Sequence, residues 1–139
     1  MKTRAPVLES NLERLDLFLT AEDGWNGEGS YAPTRATVDL VKSILPVMVA
    51  NLVSSPYIYP LFEGGINFEW PLVGKSSQWE VSIDFHNSGE VTLHAMDLSY
   101  GVEDDSEDFE EVYTSELNPI ALQQALIRDL LRVKKASGA

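Results

Sequence analysis

The chain has 139 residues, 44% of them hydrophobic and 23% charged, which suits one globular domain with its own core and leaves too little for two. It holds no cysteine and two histidines, which excludes thiol catalysis, Fe–S clusters, cysteine zinc sites and a disulfide scaffold, and leaves little material for metal or triad chemistry. Twenty-two acidic residues against ten basic ones give a net charge of −12, which repels phosphate and argues against direct DNA or RNA binding.

The start, Met1-Lys2-Thr3-Arg4-Ala5-Pro6, is basic without an apolar stretch behind it, so no secretory signal is expected. Leu8, Leu12, Leu15 and Leu19 then recur at helical spacing and predict a first helix within 1–20, from about Pro6 to Thr20. Pro6 fits the first turn, where a missing N–H costs nothing. Asp23-Gly24 stops the helix, and a glycine-rich loop fills 21–32. Gly24, Gly27 and Gly29 are spaced as in a phosphate loop. A helix precedes them, however, no lysine follows, and Glu22, Asp23 and Glu28 repel phosphate. The expected structure is a glycine-punctuated turn whose anchor, Trp25, is driven into the core.

A second helix is assigned to 33–53, starting near Pro33-Thr34, with Val38, Val41, Ile44 and Leu45 on its buried side. Pro46 lacks an N–H and clashes with the preceding turn, so the helix is expected to end or kink there, with residues 47–53 open to a further turn or two. The run Ile44–Ala50 is the longest apolar stretch and far too short for a membrane span, so a soluble, cytoplasmic protein is expected.

A sheet is assigned to 57–98. Pro56 and Pro60 bracket Tyr57-Ile58-Tyr59 as an edge segment. Ile66, Phe68 and Trp70, then Val81, Ile83 and Phe85, then Val91, Leu93 and Ala95 each alternate with polar residues, the pattern of antiparallel strands with one buried face. A two-residue Ser88-Gly89 loop would set Phe85 against Thr92 and mismatch the faces. A three-residue loop, Asn87-Ser88-Gly89, pairs Phe85 with Val91 and Ile83 with Leu93, and puts glycine where a left-handed backbone is required.

The acidic segment 99–114 contains Glu103–Glu111, in which seven of nine residues are acids. Its ordinary reading is a solvated loop, but Phe109, Val112 and Tyr113 support a short edge strand over Asp108–Thr114 with acids along the sheet rim. The last helix, 118–135, has Asn118 as N-cap and Pro119 as its first residue. Leu122, Leu126, Leu130 and Val133 form its stripe, widened by Ile127 and Leu131, while Arg128, Arg132, Lys134 and Lys135 suit its negative end. The fold class is therefore α+β: an antiparallel meander of three to five strands with helices packed on one face, in the order α-α-β-β-β-(β)-α.

Asp84, His86, Glu90 and His94 share a solvent face and resemble a metal set. In the register above the two histidines stand about 13 Å apart at ~3.4 Å per residue, too far for one ion at ~2.0–2.1 Å. His86 with Glu90 is read instead as a cross-strand polar pair. Carboxylates are plentiful, but no apolar pocket is evident to raise one of them, and no nucleophile elbow accompanies the histidines. No catalytic, cofactor or metal residue is assigned, and the protein is not expected to be an enzyme.

Charge is unevenly distributed. Residues 1–42 carry −2, residues 43–127 carry −13 with Lys75 as their single base, and residues 128–139 carry +3. Such a chain is attracted to basic surfaces, those of nucleic-acid-binding proteins among them, although solubility alone also explains acidity.

Gly24-Trp25-Asn26-Gly27-Glu28-Gly29, with Ala32-Pro33, Leu45-Pro46, Pro56, Pro60, Gly64-Gly65 and Phe68-Glu69-Trp70, resembles a scattered group of short uncharacterised bacterial proteins. In that group a GW(D/N)GxG turn follows one helix and a Glu-Trp strand follows a proline-rich connector. The resemblance spans residues 12 to 95 and implies no activity; the acidic segment and the capped last helix lie outside it.

The function read from these features is that of an acidic, non-catalytic binding protein. It neutralises or inhibits a basic, nucleic-acid-binding protein partner in the manner of an anti-defence (anti-CRISPR-type) inhibitor and nucleic-acid mimic. An antitoxin or immunity protein is the first alternative, and a small-ligand-binding domain using Trp25, Tyr57, Tyr59 and Trp70, or an accessory subunit, the next. The expected partner-binding residues are Glu103, Asp104, Asp105, Glu107, Asp108, Glu110 and Glu111, with Trp25, Glu28, Tyr57 and Tyr59 as the alternative interface.

Overall fold

Alternating apolar and polar residues build a five-stranded sheet, and each apolar row finds a matching row on its neighbour. The computed structural model describes residues 8–51, 55–73, 78–98, 109–114 and 118–137. Its elements run α1 (Leu8–Phe18), α2 (Arg35–Asn51), β1 (Tyr57–Pro60), β2 (Gly65–Val73), β3 (Gln78–His86), β4 (Val91–Asp97), β5 (Phe109–Tyr113) and α3 (Pro119–Ser137). The strands form an antiparallel meander in the order β1-β2-β3-β4-β5. All three helices pack against the sheet or against one another over the same face.

The register lines up Ile58, Phe68, Ile83 and Leu93 as one inward row, and Ile66, Phe85, Val91 and Tyr113 as the next. These side chains are buried beneath Leu15, Val41, Ile44, Leu45, Met48, Leu126 and Leu130 of the helices. Phe68 and Phe85 meet edge to face at 4.9 Å, a favoured arrangement of aromatic quadrupoles.

The β3–β4 turn has the expected register. Phe85 lies opposite Val91 and Ile83 opposite Leu93. The Gly89 N–H donates to His86 O and the His86 N–H to Glu90 O, with Gly89 at φ +95°. β1 is the predicted edge segment, and β5 is the predicted short edge strand.

One local expectation left open is decided and two are corrected. α2 runs on through Pro46 to Asn51, within the assigned 33–53. A proline inside a helix costs about 3 kcal/mol through the lost N–H and the clash of its ring, and continuing the helix offsets part of that by keeping Met48 in the core beside Ile44 and Leu45, where burial gains about 1.5–3 kcal/mol. The buried line of α1 is Asn11, Leu15 and Phe18, with Leu8, Leu12 and Leu19 flanking it half-buried. Asn11 is tolerated there because its Nδ2 donates to Ser55 Oγ and Pro56 O at 2.7 and 2.6 Å, tying α1 to the start of β1. In α3, Leu131 is exposed rather than a widening of the stripe, and the turn below Leu126 is closed by the buried Asp129.

Candidate functional site

Because all helices lie on one side, every second residue of the sheet points away from them. From β1 to β5 these outward positions include Tyr57 and Tyr59, Asn67 and Glu69, Glu80, Ser82 and Asp84, Thr92 and His94, and Glu110 and Val112. They are half-buried or exposed. One row runs Tyr57, Glu69, Ser82, His94, Glu110 and the next Tyr59, Asn67, Asp84, Thr92, Val112. Among the described outward positions there are four carboxylates and no lysine or arginine.

The carboxylates interact. Glu69 and Glu80 sit diagonally on neighbouring strands, since Glu69 faces Ser82 and Pro71 faces Glu80. The hydrogen bond they share pushes the Glu69 carboxyl up to about 7, helped by partial burial and by the charges of Glu80 and Asp84. Asp84 accepts from Asn67 Nδ2 at 2.7 Å, and the same amide donates to Ser82 Oγ at 2.8 Å. A shallow depression of about 320 Å³ opens beside this group, lined by Tyr57, Tyr59, Glu69, Pro71, Gln78 and Glu80 among others. Beside Tyr59 the Arg14 guanidinium lies 5.7 Å from the Tyr59 ring centroid and 5.9 Å from that of Phe18.

The partner-binding residues expected from sequence divide in two. Glu103, Asp104, Asp105, Glu107 and Asp108 lie outside the described residues. Glu110 and Glu111 are exposed on β5 but point to opposite faces: Glu110 continues the outward row beyond His94, and Glu111 follows Leu93 on the helix side, beside Tyr113. Of the alternative interface, Tyr57 and Tyr59 line the depression, whereas Trp25 and Glu28 belong to the loop before α2. Trp70, offered as a ligand-binding aromatic, is buried in the core, yet it also lines the depression together with Tyr57 and Tyr59. His86 lies opposite Gly65 and His94 between Ser82 and Glu110, and no group of three or more His, Asp and Glu suited to a metal occurs among the described residues.

Trp25 is not the core anchor expected of it, being 37% exposed with its Nε1 donating to Tyr31 O at 2.9 Å. The buried anchor is Ser30, whose Oγ accepts from the Asn26 N–H and donates to Gly27 O, while Ser30 O accepts from the Gly24 N–H. A small polar residue holds this loop because its own backbone offers the partners that a large ring would need from elsewhere.

Two residues not singled out from sequence organise the molecule. Asn87, in the β3–β4 turn, accepts on Oδ1 from the Thr34 N–H and the Thr37 hydroxyl and donates from Nδ2 to Ala32 O, fastening the start of α2 to the sheet. Asp129 of α3 is fully buried and accepts from the Tyr113 hydroxyl at 2.6 Å and from Arg128 and Arg132. Burial pushes its carboxyl up, but the hydrogen bonds of Arg128 and Tyr113 and the two guanidinium charges outweigh it and hold Asp129 below the usual carboxylate range. Its position was legible: 122, 126, 129 and 133 share one face of a helix, so an aspartate interrupts the apolar stripe between two arginines.

No helix among the described residues is long and apolar enough to cross a membrane. No protein-family model, curated protein or solved structure matches the chain.

Proposed function

We propose that this protein is an acidic, non-catalytic binding protein that engages a basic, nucleic-acid-binding protein and neutralises it, as an inhibitor of the anti-defence (anti-CRISPR) type does. The observation that carries the reading is the sheet face opposite the helices, where Glu69, Glu80, Asp84 and Glu110 lie on three strands, β2, β3 and β5, with no lysine or arginine among the described outward positions. Carboxylates held on a rigid sheet can imitate the phosphates of a nucleic acid at lower ordering cost than a floppy acidic tail. Their mutual repulsion, expressed in the raised Glu69, is relieved by an incoming lysine or arginine. Glu103, Asp104, Asp105, Glu107 and Asp108 extend the same sign of charge toward β5 in sequence and belong to the proposed contact surface with Glu110 and Glu111.

The test begins with affinity capture from native-cell lysate and mass-spectrometric identification of what elutes at high salt. Association is then measured with the purified partner against a Glu69→Gln, Glu80→Gln, Asp84→Asn, Glu110→Gln variant. The variant is expected to associate at least about tenfold more slowly at low salt, with a flattened salt dependence and a smaller change in dissociation. An unchanged association rate at low salt would show that the face is a solubility device.

A further inference from the structure

The loop of residues 21–32 is built more rigidly than its exposure explains. Gly24, Gly27 and Gly29 all adopt positive φ, between +87° and +99°, which only glycine takes without strain. Ser30 closes the loop through its own Oγ and carbonyl, and the Ala32 N–H donates to Asp23 Oδ1 at 3.0 Å. Asn87 secures the exit by donating to Ala32 O.

What the network holds outward is aromatic. Trp25 is 37% exposed, Tyr31 54% and Phe62 46%, while Trp70, Phe68 and Phe85 are buried. Two separate segments bring the three together through the Tyr31 backbone: the Trp25 indole donates to Tyr31 O at 2.9 Å, and the Tyr31 N–H donates to Phe62 O at 2.9 Å. Gly64, in the β1–β2 turn, has φ +99° and lies so close to Asn87 Nδ2 and Tyr31 Cβ that a Cβ there would displace the Asn87 amide. Glu22, Asp23, Glu28 and Glu63 are exposed in these same two segments, which contain no lysine or arginine.

We infer that residues 21–32 and the 61–64 turn form a second, pre-organised docking surface, taking an arginine- or lysine-bearing segment of a protein partner on Trp25, Tyr31 and Phe62. The inference rests on the reading of a basic partner and adds the place where that partner is anchored. Charge complementarity selects the occupant: aromatic faces attract cations, and the carboxylates around them reject an acidic or purely apolar segment. Rigid Trp and Tyr side chains on a loop that needs no further ordering have the composition of an interface hot spot. The sheet face then supplies long-range attraction, and the loop supplies the short-range contact that slows release.

The test uses the full chain, labelled with ¹⁵N, titrated with hexaarginine amide at low salt and with hexaglutamate as control. The Trp25 indole N–H and the backbone N–H groups around Gly24–Tyr31 and Phe62–Glu63 are expected to shift saturably with hexaarginine only. Trp25→Ala is expected to weaken binding at least about threefold. Because Trp25 also bonds Tyr31 O, Phe62→Ala provides a variant that leaves the loop's own hydrogen bonds in place, and it should weaken binding by a similar factor with an unchanged melting temperature. Saturable shifts confined to Glu69, Glu80, Asp84 and Glu110, with both variants binding as wild type, overturn this inference and leave the proposed function standing. Absence of saturable shifts anywhere overturns both. Equal response to hexaglutamate, or shifts of Trp25 and Phe62 on raising protein concentration alone, overturns the inference in favour of a non-electrostatic or self-associating patch.

Discussion

Asp129 is a buried charge whose desolvation is outweighed by its partners. It is fully buried, yet both arginines that bond it are largely exposed, so removing the carboxylate strands no cation in the core. What is stranded is the Tyr113 hydroxyl, held at 2.6 Å in a buried bond. Asp129→Ala is therefore expected to cost about 1–3 kcal/mol, the loss of a charge-assisted hydrogen bond, rather than the larger penalty of an orphaned buried charge. Chemical denaturation at pH 7 measures it. The carboxyl is held below its usual 3.8, so its stabilisation is present above that pH and lost as pH falls through the lower folded value. Asp129→Asn should flatten the acid limb of the stability profile, and an unaltered limb would reassign acid sensitivity to other carboxylates.

At the scale of elements, α3 shows how much more packing contributes than local caps. Asn118 does cap the helix, its Oδ1 accepting from the Ala121 N–H at 2.8 Å, at an exposed position. Leu126, by contrast, is fully buried among the strands and α2. Leu126→Ala is expected to cost about 2–5 kcal/mol through lost burial and a residual cavity, and Asn118→Ala about 0.5–2 kcal/mol through the cap. Parallel urea titrations would detect a reversal of this order, which is incompatible with α3 docked as described. β5 depends on the same helix: its Tyr113 reaches Asp129, and its Phe109 ring lies 5.2 Å beneath the Arg132 guanidinium. Arg128 and Arg132, assigned from sequence to the helix dipole, thus hold an edge strand as well.

Across the whole molecule, negative charge is opposed to stability on the open sheet face. Glu69 is raised from 4.5 to about 7 in the folded protein, so the folded state binds this proton more tightly than the unfolded chain does. Stability from this group is present at low pH and falls as pH rises from 4.5 to 7, the opposite sense to Asp129. Melting temperatures across that range should show Glu69→Gln gaining on wild type as pH increases, with little difference near pH 4.5. A constant difference would mean that the Glu69 carboxyl is not raised by its neighbours in the folded protein. Added salt should narrow the gap at pH 7, since the surrounding repulsion is between partly solvated charges.

Periodicity and turn chemistry determined β2, β3 and β4, their inward residues, the β3–β4 register and the capped last helix, because both are local properties that every neighbouring residue reinforces. The acidic balance of residues 43–127 was equally legible, being a sum over sequence. Only the tertiary structure decided that α2 continues through Pro46, that Ser30 rather than Trp25 anchors the loop, and that Trp25 and Phe62 are both joined to the Tyr31 backbone. Each of these depends on what another segment offers: core space for Met48, carbonyls for a hydroxyl, a turn beside a loop. The raised carboxyl of Glu69 likewise arises from strand pairing, which sets Glu69 and Glu80, eleven apart in the chain, on neighbouring strands of one face.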